Sequence, residues 1–243
     1  VTAILRFLAE TEPAGASTTD ISRGAGIVRP STHRLLMSLA EQGLVERERA
    51  TGLWHLGPEL YVLGSAAAVR YDVTDQVRST VHQLATSSGE SAFFSMRRGV
   101  ETVCLLREDG AFPLRSHVLH EGIRVPLGVA SAGLATLAHL RDPEIKDHLQ
   151  KSDLESTFGP DHRDDVLWTR IHATRRDGYA TNPGLIVPGS WGMAAAVFDS
   201  DGSPRWALSL TGVESRFDAA RRSELGELLL KQAHVLGLAL QSG

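Results

Sequence analysis

The chain has few of the features that mark secreted, disulfide-bonded or membrane-spanning proteins. Its 243 residues contain one cysteine, Cys104, so an internal disulfide is excluded and a reducing cytoplasm is the expected compartment. No apolar run approaches the roughly 20 residues that a membrane helix needs. The sequence also lacks the pattern of a secretory signal, in which a charged start precedes an apolar stretch and a small-residue cleavage site.

An excess of positive charge is also missing. The chain carries 25 Lys and Arg against 29 Asp and Glu, a formal net charge of −4. Residues 1–64 hold six basic and seven acidic residues, and the remainder holds 19 basic and 22 acidic residues. Because neither part is basic, any affinity for nucleic acid must come from locally placed arginines and from dimerisation. With 42% hydrophobic and 22% charged residues, the composition is typical of a soluble globular protein.

Motifs for catalysis are weak. The segment Gly128–Ala135 has the glycine spacing of a phosphate-binding loop, but Leu134 stands where that loop needs a lysine. Cys104 lies in an apolar run, which favours a buried small hydrophobe over a reactive thiol. No Ser-His-Asp or Cys-His arrangement stands out, although such a triad need not be local in sequence. We therefore expect no enzymatic activity and no cofactor.

Two polar clusters could suggest a metal site. The first cluster is His117, His120 and Glu121. The two histidines are three residues apart on an expected strand, so their imidazoles would point to opposite faces and could not bind one metal ion together with Glu121. Structural or exposed roles are favoured for both histidines. The second cluster, Asp161, His162, Asp164 and Asp165, is interpreted as the capped start of a helix. We expect no metal.

The region Ser17–Gly57 is the most informative part of the chain. Ser17 can cap a short helix, with Asp20 in the place of the Glu of a capping box. Gly26 supplies the left-handed stop, and Pro30 suits the first turn of the next helix. A two-stranded hairpin carrying arginines follows. This order predicts a winged helix-turn-helix, which places one helix in the DNA major groove.

The second helix of this motif separates an apolar from a polar face. Leu35, Leu36 and Leu39, with Thr32 one turn earlier, form one stripe that is expected to face the core. The other face is rich in Arg, His and hydroxyl groups near the helix start, which suits phosphates and base edges. Arg34 is the first candidate for a guanine or phosphate contact. The residues expected to face DNA on this helix are Arg29, Pro30, Ser31, His33, Arg34, Met37 and Ser38.

The predicted hairpin runs from Leu44 to about Leu56 and turns at Ala50–Gly52. Arg47 and Arg49 lie near its tip, where a wing would meet the phosphate backbone. The alternative is a small helical domain with an ordinary solvated hairpin.

A small-residue helix is predicted to follow, over residues 58–71. Tyr61, Val62, Ser65 and Val69 can share one stripe. Such a helix is a candidate linker and dimer contact, and packing on its own domain is the alternative.

Beyond residue 72 the pattern is that of an α+β domain, with helices beside an antiparallel sheet. Strands are predicted at 91–96, 101–107, 114–119, 178–181, 191–199 and 205–211. One helix is predicted to end at 88–89. Three others are predicted to cover 143–149, 164–176 and 218–240, and a further helix is predicted within the small-residue segment 122–140.

Several ordered motifs resemble the IclR-type bacterial transcriptional regulators over essentially the whole chain. The first half carries AILRFLAE, STHRLLMSLAEQGLVER and WHLGPELYVLG. The second half carries GIRVPLGVASAGLATLA, RRDGYATNPG and WGMAAAVFDSDGSPRWALSLTG, followed by Arg216 and Phe217. The resemblance implies a winged helix-turn-helix domain at 1–57, a linker helix at 58–71 and a GAF-like effector-binding domain at 72–243. It also implies dimers or tetramers on palindromic operators, with a small metabolite as effector.

The resemblance further implies where an effector would bind. The family uses backbone amides of the small-residue loop, a polar pair after the Gly-Tyr-Ala strand and hydroxyls on the next strand. Carried over, these positions are Ala132, Gly133, Asn182, Gly192, Ser209 and Thr211.

Two of these positions, and the residue after Gly133, depart from the family pattern. Asn182 lacks the charge of the usual acid, Gly192 replaces a frequent cysteine, and Leu134 replaces a frequent lysine. We therefore expect a larger and less polar pocket than in carboxylate-sensing relatives. Two other classes of function stay open at this point: a small-molecule enzyme, and a dimerisation module whose helix-turn-helix does not bind DNA.

Overall fold

The computed structural model describes residues 1–71, 74–114 and 118–241. The chain divides into two compact units, Val1–Asp72 and Val73–Gly243. Among the described helices, none combines the length and the apolar character that crossing a membrane requires.

The first unit is a three-helix domain with a short hairpin and a following helix. A buried cluster built around Ile4, Leu8, Ile21, Leu36 and Trp54 holds it together. Its elements are α1 (Thr2–Thr11), α2 (Thr18–Ala25), α3 (Arg29–Glu41), β1 (Val45–Arg47), β2 (Trp54–Leu56) and α4 (Glu59–Tyr71).

The local signals of the helix-turn-helix are confirmed. The Ser17 hydroxyl accepts a hydrogen bond from the Asp20 amide at 3.2 Å and so caps α2. Gly26 ends α2 at a φ of +65°, where a side chain would be strained. Pro30 lies in the first turn of α3, where its missing N–H costs no hydrogen bond.

The hairpin is bound to the rest of the first unit. Strands β1 and β2 pair antiparallel, with Val45 opposite Leu56 and Arg47 opposite Trp54. Trp54 also forms a bridge with Ala16, and its indole N–H donates to the Thr18 hydroxyl at 3.0 Å. The hairpin therefore has a defined position relative to α2.

The second unit is a six-stranded antiparallel sheet with helices on both faces. The strand order is β5-β4-β3-β8-β7-β6. Helices α5 and α10 pack on one face, and α6 packs on the other face and against α9. The elements are α5 (Thr74–Ser88), β3 (Ser91–Arg98), β4 (Glu101–Glu108), β5 (Arg124–Pro126), α6 (Ser131–Ala138), α7 (Asp142–Lys151), α8 (Leu154–Phe158), α9 (Asp164–Asp177), β6 (Ala180–Pro183), β7 (Ser190–Phe198), β8 (Pro204–Val213) and α10 (Ala219–Gln241).

The strand predicted at 114–119 is wrong for the part of it that is described. Residues 115–117 lie outside the described residues, and Leu114, Val118 and Leu119 are not in a strand. The third strand of that set is β5, which pairs with β4. Leu119 instead covers the sheet beside Phe93 and Cys104, so its apolar character reflects burial and not strand pairing.

The capped helix start predicted at 161–165 is also wrong in its details. Helix α9 begins after Arg163, and no side chain caps it. Asp165 accepts a hydrogen bond from Arg163 Nε at 2.6 Å, and Asp164 and Asp165 place negative charge in the first turn. His162 lies in a preceding 3₁₀ turn and is buried.

Candidate DNA-binding surface and effector site

The face of α3 predicted to meet DNA is open to solvent. Thr32, Leu36 and Leu39 are buried as expected, while Leu35 is half-buried against the same core. Of the predicted contact residues, Ser31 is half-buried, and the exposed ones are Arg29, Pro30, His33, Arg34, Met37 and Ser38.

The beginning of α3 is suited to an anion. No side chain caps the helix at Val28, so its first N–H groups stay available and the helix dipole adds positive potential there. Arg34 makes a long contact from Nη2 to the Ser31 hydroxyl at 3.4 Å. Thr18, Arg29, Pro30, His33 and Arg34 line a groove at this end. Backbone donors and cationic side chains therefore converge on the surface that a phosphate or base edge would approach.

Within the hairpin, the two arginines differ. Arg47 Nε donates to the Gly52 carbonyl at 2.9 Å, and the guanidinium carbon lies 5.8 Å from the centre of the Trp54 ring. Arg47 therefore braces the turn, which leaves only its remaining N–H groups for a phosphate. Arg49 lies in the exposed turn itself.

Glu12, directly after α1, holds the hairpin through its carboxylate, and the sequence did not predict this role. Its carboxylate accepts from the Leu56 amide at 2.8 Å and lies 3.2 Å from His55 Nδ1. Partial burial raises the pKa of Glu12, but the Leu56 hydrogen bond and the His55 contact outweigh this effect, and the net pKa is below its usual value. No local signal marks Glu12, because its partners are more than 40 residues away.

Three of the predicted effector residues, Asn182, Gly192 and Thr211, line a cavity at the N-terminal end of α6. All eight residues of this helix are buried, and no side chain caps it at Ala130. A narrow cavity of about 20 Å³ lies in front of it. The cavity is lined by Val118, Leu119, Ala130, Ser131, Asn182, Ile186, Val187, Ser190, Trp191, Gly192 and Thr211.

Two strand hydroxyls in this region have no hydrogen-bond partner. Ser209 and Thr211 are 0% and 5% exposed, and neither hydroxyl oxygen has a partner among the described residues. They share one face of β8, while Leu208 and Leu210 belong to the core on the other face. Thr211 borders the cavity, and Ser209 lies two residues earlier along the strand. Buried hydroxyls are normally bonded, so these two are exceptions in the described part of the chain.

Asn182 acts as a brace between two loops. Its amide nitrogen donates to the Val129 carbonyl at 2.7 Å, and its amide oxygen accepts from the Leu185 N–H at 3.0 Å. The segment before α6 is thereby bonded to the segment after β6. Asn182 borders the cavity, but its side chain is already engaged on both sides.

The expectation of a larger pocket at Gly192 is wrong. A Cβ placed on Gly192 would lie 3.0 Å from the Ser131 hydroxyl oxygen, so the space that a side chain would take is already occupied. Strand alternation directs Trp191 and Met193 to the other face of the sheet. Met193 is buried in the core beside α10, and Trp191 stacks on Phe217 with ring centres 6.1 Å apart.

Ala132 and Gly133 adjoin the cavity without lining it. Ala132 is 3% exposed, and a Cβ on Gly133 would lie 3.1 Å from the Pro126 carbonyl oxygen. Gly133 therefore allows the close approach of α6 to the preceding loop. Any role of these two residues in binding rests on their backbone amides in the first turn of α6.

The remaining chemical candidates do not form a site. Burial raises the pKa of the Cys104 thiol to about 12, with the nearby Glu121 carboxylate adding to the effect, so the thiolate is absent at neutral pH. His117 lies outside the described residues, and the exposed His120 contacts the Glu121 carbonyl at 3.0 Å. In the part of the chain that is described, no three metal-ligating side chains converge.

These features define a class of protein: a winged-helix unit of the DNA-binding type joined to an α+β unit with a small internal cavity. Two family models match the chain. The IclR helix-turn-helix domain covers residues 1–49, and the bacterial transcriptional regulator IclR C-terminal domain covers residues 65–237.

Curated relatives agree over nearly the full length. The HTH-type transcriptional repressor AllR of Klebsiella pneumoniae is 31% identical over 240 residues, which is 98% of this chain and 87% of the relative. The HTH-type transcriptional regulator BhcR of Paracoccus denitrificans is 27% identical over 227 residues, which is 93% of this chain and 81% of the relative.

Solved structures share the fold. An IclR transcriptional regulator from Alicyclobacillus acidocaldarius has a TM-score of 0.82 at 20% identity, covering 98% of this chain and 95% of that one. An IclR homolog from Microbacterium hydrocarbonoxydans, complexed with 4-hydroxybenzoate, has a TM-score of 0.80 at 21% identity, covering 100% of this chain and 99% of that one.

The chain belongs to the IclR family. It is a DNA-binding transcriptional regulator and not an enzyme.

Proposed function

We propose that this regulator binds its operator as a homo-oligomer in the cytoplasm and changes its DNA affinity when a small effector enters the cavity at α6. The observation that carries the proposal is the pair of buried hydroxyls on β8, Ser209 and Thr211, which have no partner among the described residues; Thr211 lines the cavity at the uncapped start of α6. The domain limits proposed are 1–57 for the DNA-binding domain, 58–71 for the linker helix and 72–243 for the effector domain.

For DNA binding, α3 is the reading helix and the hairpin is the wing. The exposed polar face and the uncapped start of α3 support this division. Arg34 is the leading candidate for a base-edge contact because its side chain extends from the face opposite the buried Leu36. The proposed DNA-contacting residues are Arg29, Pro30, Ser31, His33, Arg34, Met37, Ser38, Arg47 and Arg49.

The cavity favours an effector with an apolar body and one end rich in hydrogen-bond acceptors. Val118, Leu119, Ile186 and Val187 supply apolar wall, while α6 offers backbone donors and the positive end of its dipole. The neutral amide of Asn182 adds no negative charge that would repel an anion. The proposed effector-contacting residues are Ala132, Gly133, Asn182, Gly192, Ser209 and Thr211.

Effector entry requires the cavity to widen. Its volume of about 20 Å³ is far below the roughly 300–1,000 Å³ of ligand pockets. The segment 184–189 connects β6 to β7, and its Ile186 and Val187 form part of the wall. Its outward displacement would enlarge the cavity and strain the Asn182–Leu185 hydrogen bond. The complex of the Microbacterium relative makes 4-hydroxybenzoate a reasonable first test compound.

Dimerisation is proposed to use α4. Tyr61 is 81% exposed, and Val62 and Leu63 are also exposed, so this helix has apolar side chains that its own unit does not cover. Two copies would place two α3 helices on a palindromic site.

The test is an electrophoretic shift assay with the DNA upstream of the protein's own gene, repeated across a panel of small acids that includes 4-hydroxybenzoate. We expect a specific shift that at least one compound alters, and that compound should raise Tm. A protein that shifts specific and scrambled DNA equally would contradict the operator proposal. Specific DNA binding that no compound alters, with no change in Tm, would contradict the effector proposal alone.

A further inference from the structure

A notch larger than the cavity at α6 opens at the edge of the sheet. Strand β6 pairs with β7 only as far as Ala194, which lies opposite Ala180, whereas β7 continues to Phe198. In the described part of the chain, no strand pairs with β7 beyond Ala194 on that side. The space of about 330 Å³ that is left, the edge notch, is lined by His139, Gly178, Ala196, Phe198, Leu230, Ala233, His234, Gly237, Leu238 and Gln241.

The volume and the walls of the edge notch suit a small molecule. Ligand pockets hold roughly 300–1,000 Å³ and are mostly apolar, and the edge notch reaches the lower end of that range. Strand β7 and helix α10 supply its apolar wall through Ala196, Phe198, Leu230, Ala233 and Leu238. None of the described residues that line it is Asp, Glu, Lys or Arg. Because a charged ligand would lose water there without gaining a counter-charge, an uncharged ligand is favoured.

His139 supplies the edge notch with a hydrogen-bond acceptor. It is the C-cap residue of α6 and is half-buried, with its ring edge-on to Phe198 at a centre-to-centre distance of 5.1 Å. Its Nδ1 lies 2.8 Å from the Ala135 carbonyl oxygen, and because a carbonyl only accepts, Nδ1 carries the hydrogen. The other ring nitrogen, Nε2, then offers a lone pair, and it makes no hydrogen bond to a described residue.

An added β-strand is the alternative occupant, and the edge is poorly suited to it. Only Ala195–Phe198 extend beyond β6, and successive residues of a strand present their backbone groups to alternate sides. The Phe198 carbonyl already accepts a hydrogen bond from Gln241 Nε2 at 3.3 Å. A pairing segment would therefore gain few backbone hydrogen bonds, whereas a small ligand needs none from the strand.

These features together define a chemical class of ligand. Apolar walls and two aromatic rings favour a ring as the body of the ligand, and the acceptor at His139 favours one hydroxyl group. We propose that the edge notch binds a neutral hydroxyaromatic compound, with its ring against Phe198 and Leu230 and its hydroxyl donating to His139 Nε2. This site adjoins the C-terminal end of α6, opposite the end that borders the proposed effector cavity, and it does not depend on the role of that cavity.

The experiment titrates the full-length, isotope-labelled protein with phenol and with toluene, which has nearly the same size and shape but no hydroxyl, and follows both titrations by NMR. Toluene is the more apolar molecule and would bind more tightly to a purely apolar notch. Phenol is expected to bind at least as tightly as toluene, because the hydrogen bond to Nε2 offsets the desolvation of its hydroxyl. The chemical shift of His139 Nε2 should move with phenol and not with toluene.

Two variants and a control assign the site. H139F keeps a ring beside Phe198 and removes the acceptor, so it should weaken phenol binding about tenfold and leave toluene binding unchanged. H172F is the matched control, because His172 is exposed on α9 and does not line the edge notch. G237L should abolish the binding of both ligands. A Cβ on Gly237 would meet only ordinary contacts, the nearest being the Phe198 carbonyl oxygen at 3.5 Å, and the longer side chain would fill the notch.

A double variant, S209A with T211V, separates this site from the cavity at α6. It alters the hydroxyls on β8 and should bind phenol like the wild type. Its response to effector compounds tests the proposed function, and its phenol binding tests the edge notch, so the failure of one proposal is distinguishable from the failure of the other.

Three results would overturn the proposal. The first is a wild-type protein whose spectrum neither ligand changes. The second is toluene binding about tenfold or more tightly than phenol, which would mean that the hydroxyl has no partner in the notch. The third is phenol binding that H139F or G237L retains in full, which would locate the ligand elsewhere. If H139F does not fold, an unmoved Nε2 shift of His139 in the phenol-bound wild type contradicts the proposal in its place.

Discussion

The polar residues of the two units stand in opposite environments. In the first unit, Arg29, His33 and Arg34 are exposed on a helix whose other face is packed. In the second, Ser209 and Thr211 are buried on the sheet face that packs on α6, and neither hydroxyl has a partner within the described ranges. The first arrangement suits a ligand that approaches a surface, as a DNA duplex does, and the second suits a ligand small enough to enter the interior.

The largest effect is expected from Arg34→Ala. A lost base-edge contact costs about 1–3 kcal/mol per site, and a dimer on a palindrome loses two. Because Arg34 is exposed and Leu36 is the buried neighbour, circular dichroism and Tm should not change. The measurement is operator affinity by fluorescence anisotropy, with Arg23→Ala, an exposed residue of α2, as control. If the variant keeps the operator affinity and footprint of the wild type, α3 is not the reading helix.

A smaller effect is expected from Thr211→Val. The substitution keeps the shape of the side chain and removes a hydroxyl that has no partner among the described residues. The free energy of unfolding without effector should therefore stay equal or rise by up to about 1 kcal/mol. The effector should bind roughly tenfold more weakly, because the hydroxyl is then missing from the bound state. DNA affinity without effector should be unchanged.

Thr102→Val is the matched control for this substitution. Thr102 is also buried on the sheet, but its hydroxyl donates to the Val125 carbonyl at 3.3 Å. Its loss should destabilise the protein by about 1 kcal/mol. If Thr211→Val destabilises by a similar amount, the Thr211 hydroxyl has a structural partner, and the contrast between the two units fails.

Substitutions in the hairpin should have a more modest and less specific effect. Arg49→Ala should weaken binding to all DNA sequences and lower the salt slope by about one, as loss of a phosphate contact does. Arg47→Ala should do the same and also lower Tm slightly, because it loses the bond to the Gly52 carbonyl. The measurement is log Kd against log salt. A change in base preference at one operator position would mean that the wing reads sequence.

The smallest effect concerns Glu12. Its pKa is lowered in the folded state, so its contribution to stability is present above its ordinary pKa and is lost as pH falls through the lowered folded value. Because Glu12 is largely solvated, the contribution is about 0.5 kcal/mol or less. The free energies of urea unfolding of the wild type and Glu12→Gln should differ at pH 7 and converge as the pH falls through the lowered folded pKa of Glu12. A difference that grows toward low pH would have the wrong sign for this linkage.

Local signals determined the helix-turn-helix from sequence. The cap at Ser17, the left-handed Gly26 and the proline in the first turn of α3 each act within a few residues, so they can be read from the chain alone. The two-residue spacing of Ser209 and Thr211 along β8 is likewise local, and strand alternation places both on one face. The family motifs added the order of the domains along the chain, which the local signals do not specify.

Contacts between distant segments were decided only by the tertiary structure. Ser131 fills the space beside Gly192, Asn182 bonds to Val129, and Glu12 bonds to Leu56. The apolar run at 114–119 predicted a strand, yet β5 pairs in its place because pairing depends on which backbone reaches the sheet edge. Whether a hydroxyl or a guanidinium is partnered depends on every segment packed around it, and periodicity along one segment carries no information about the others.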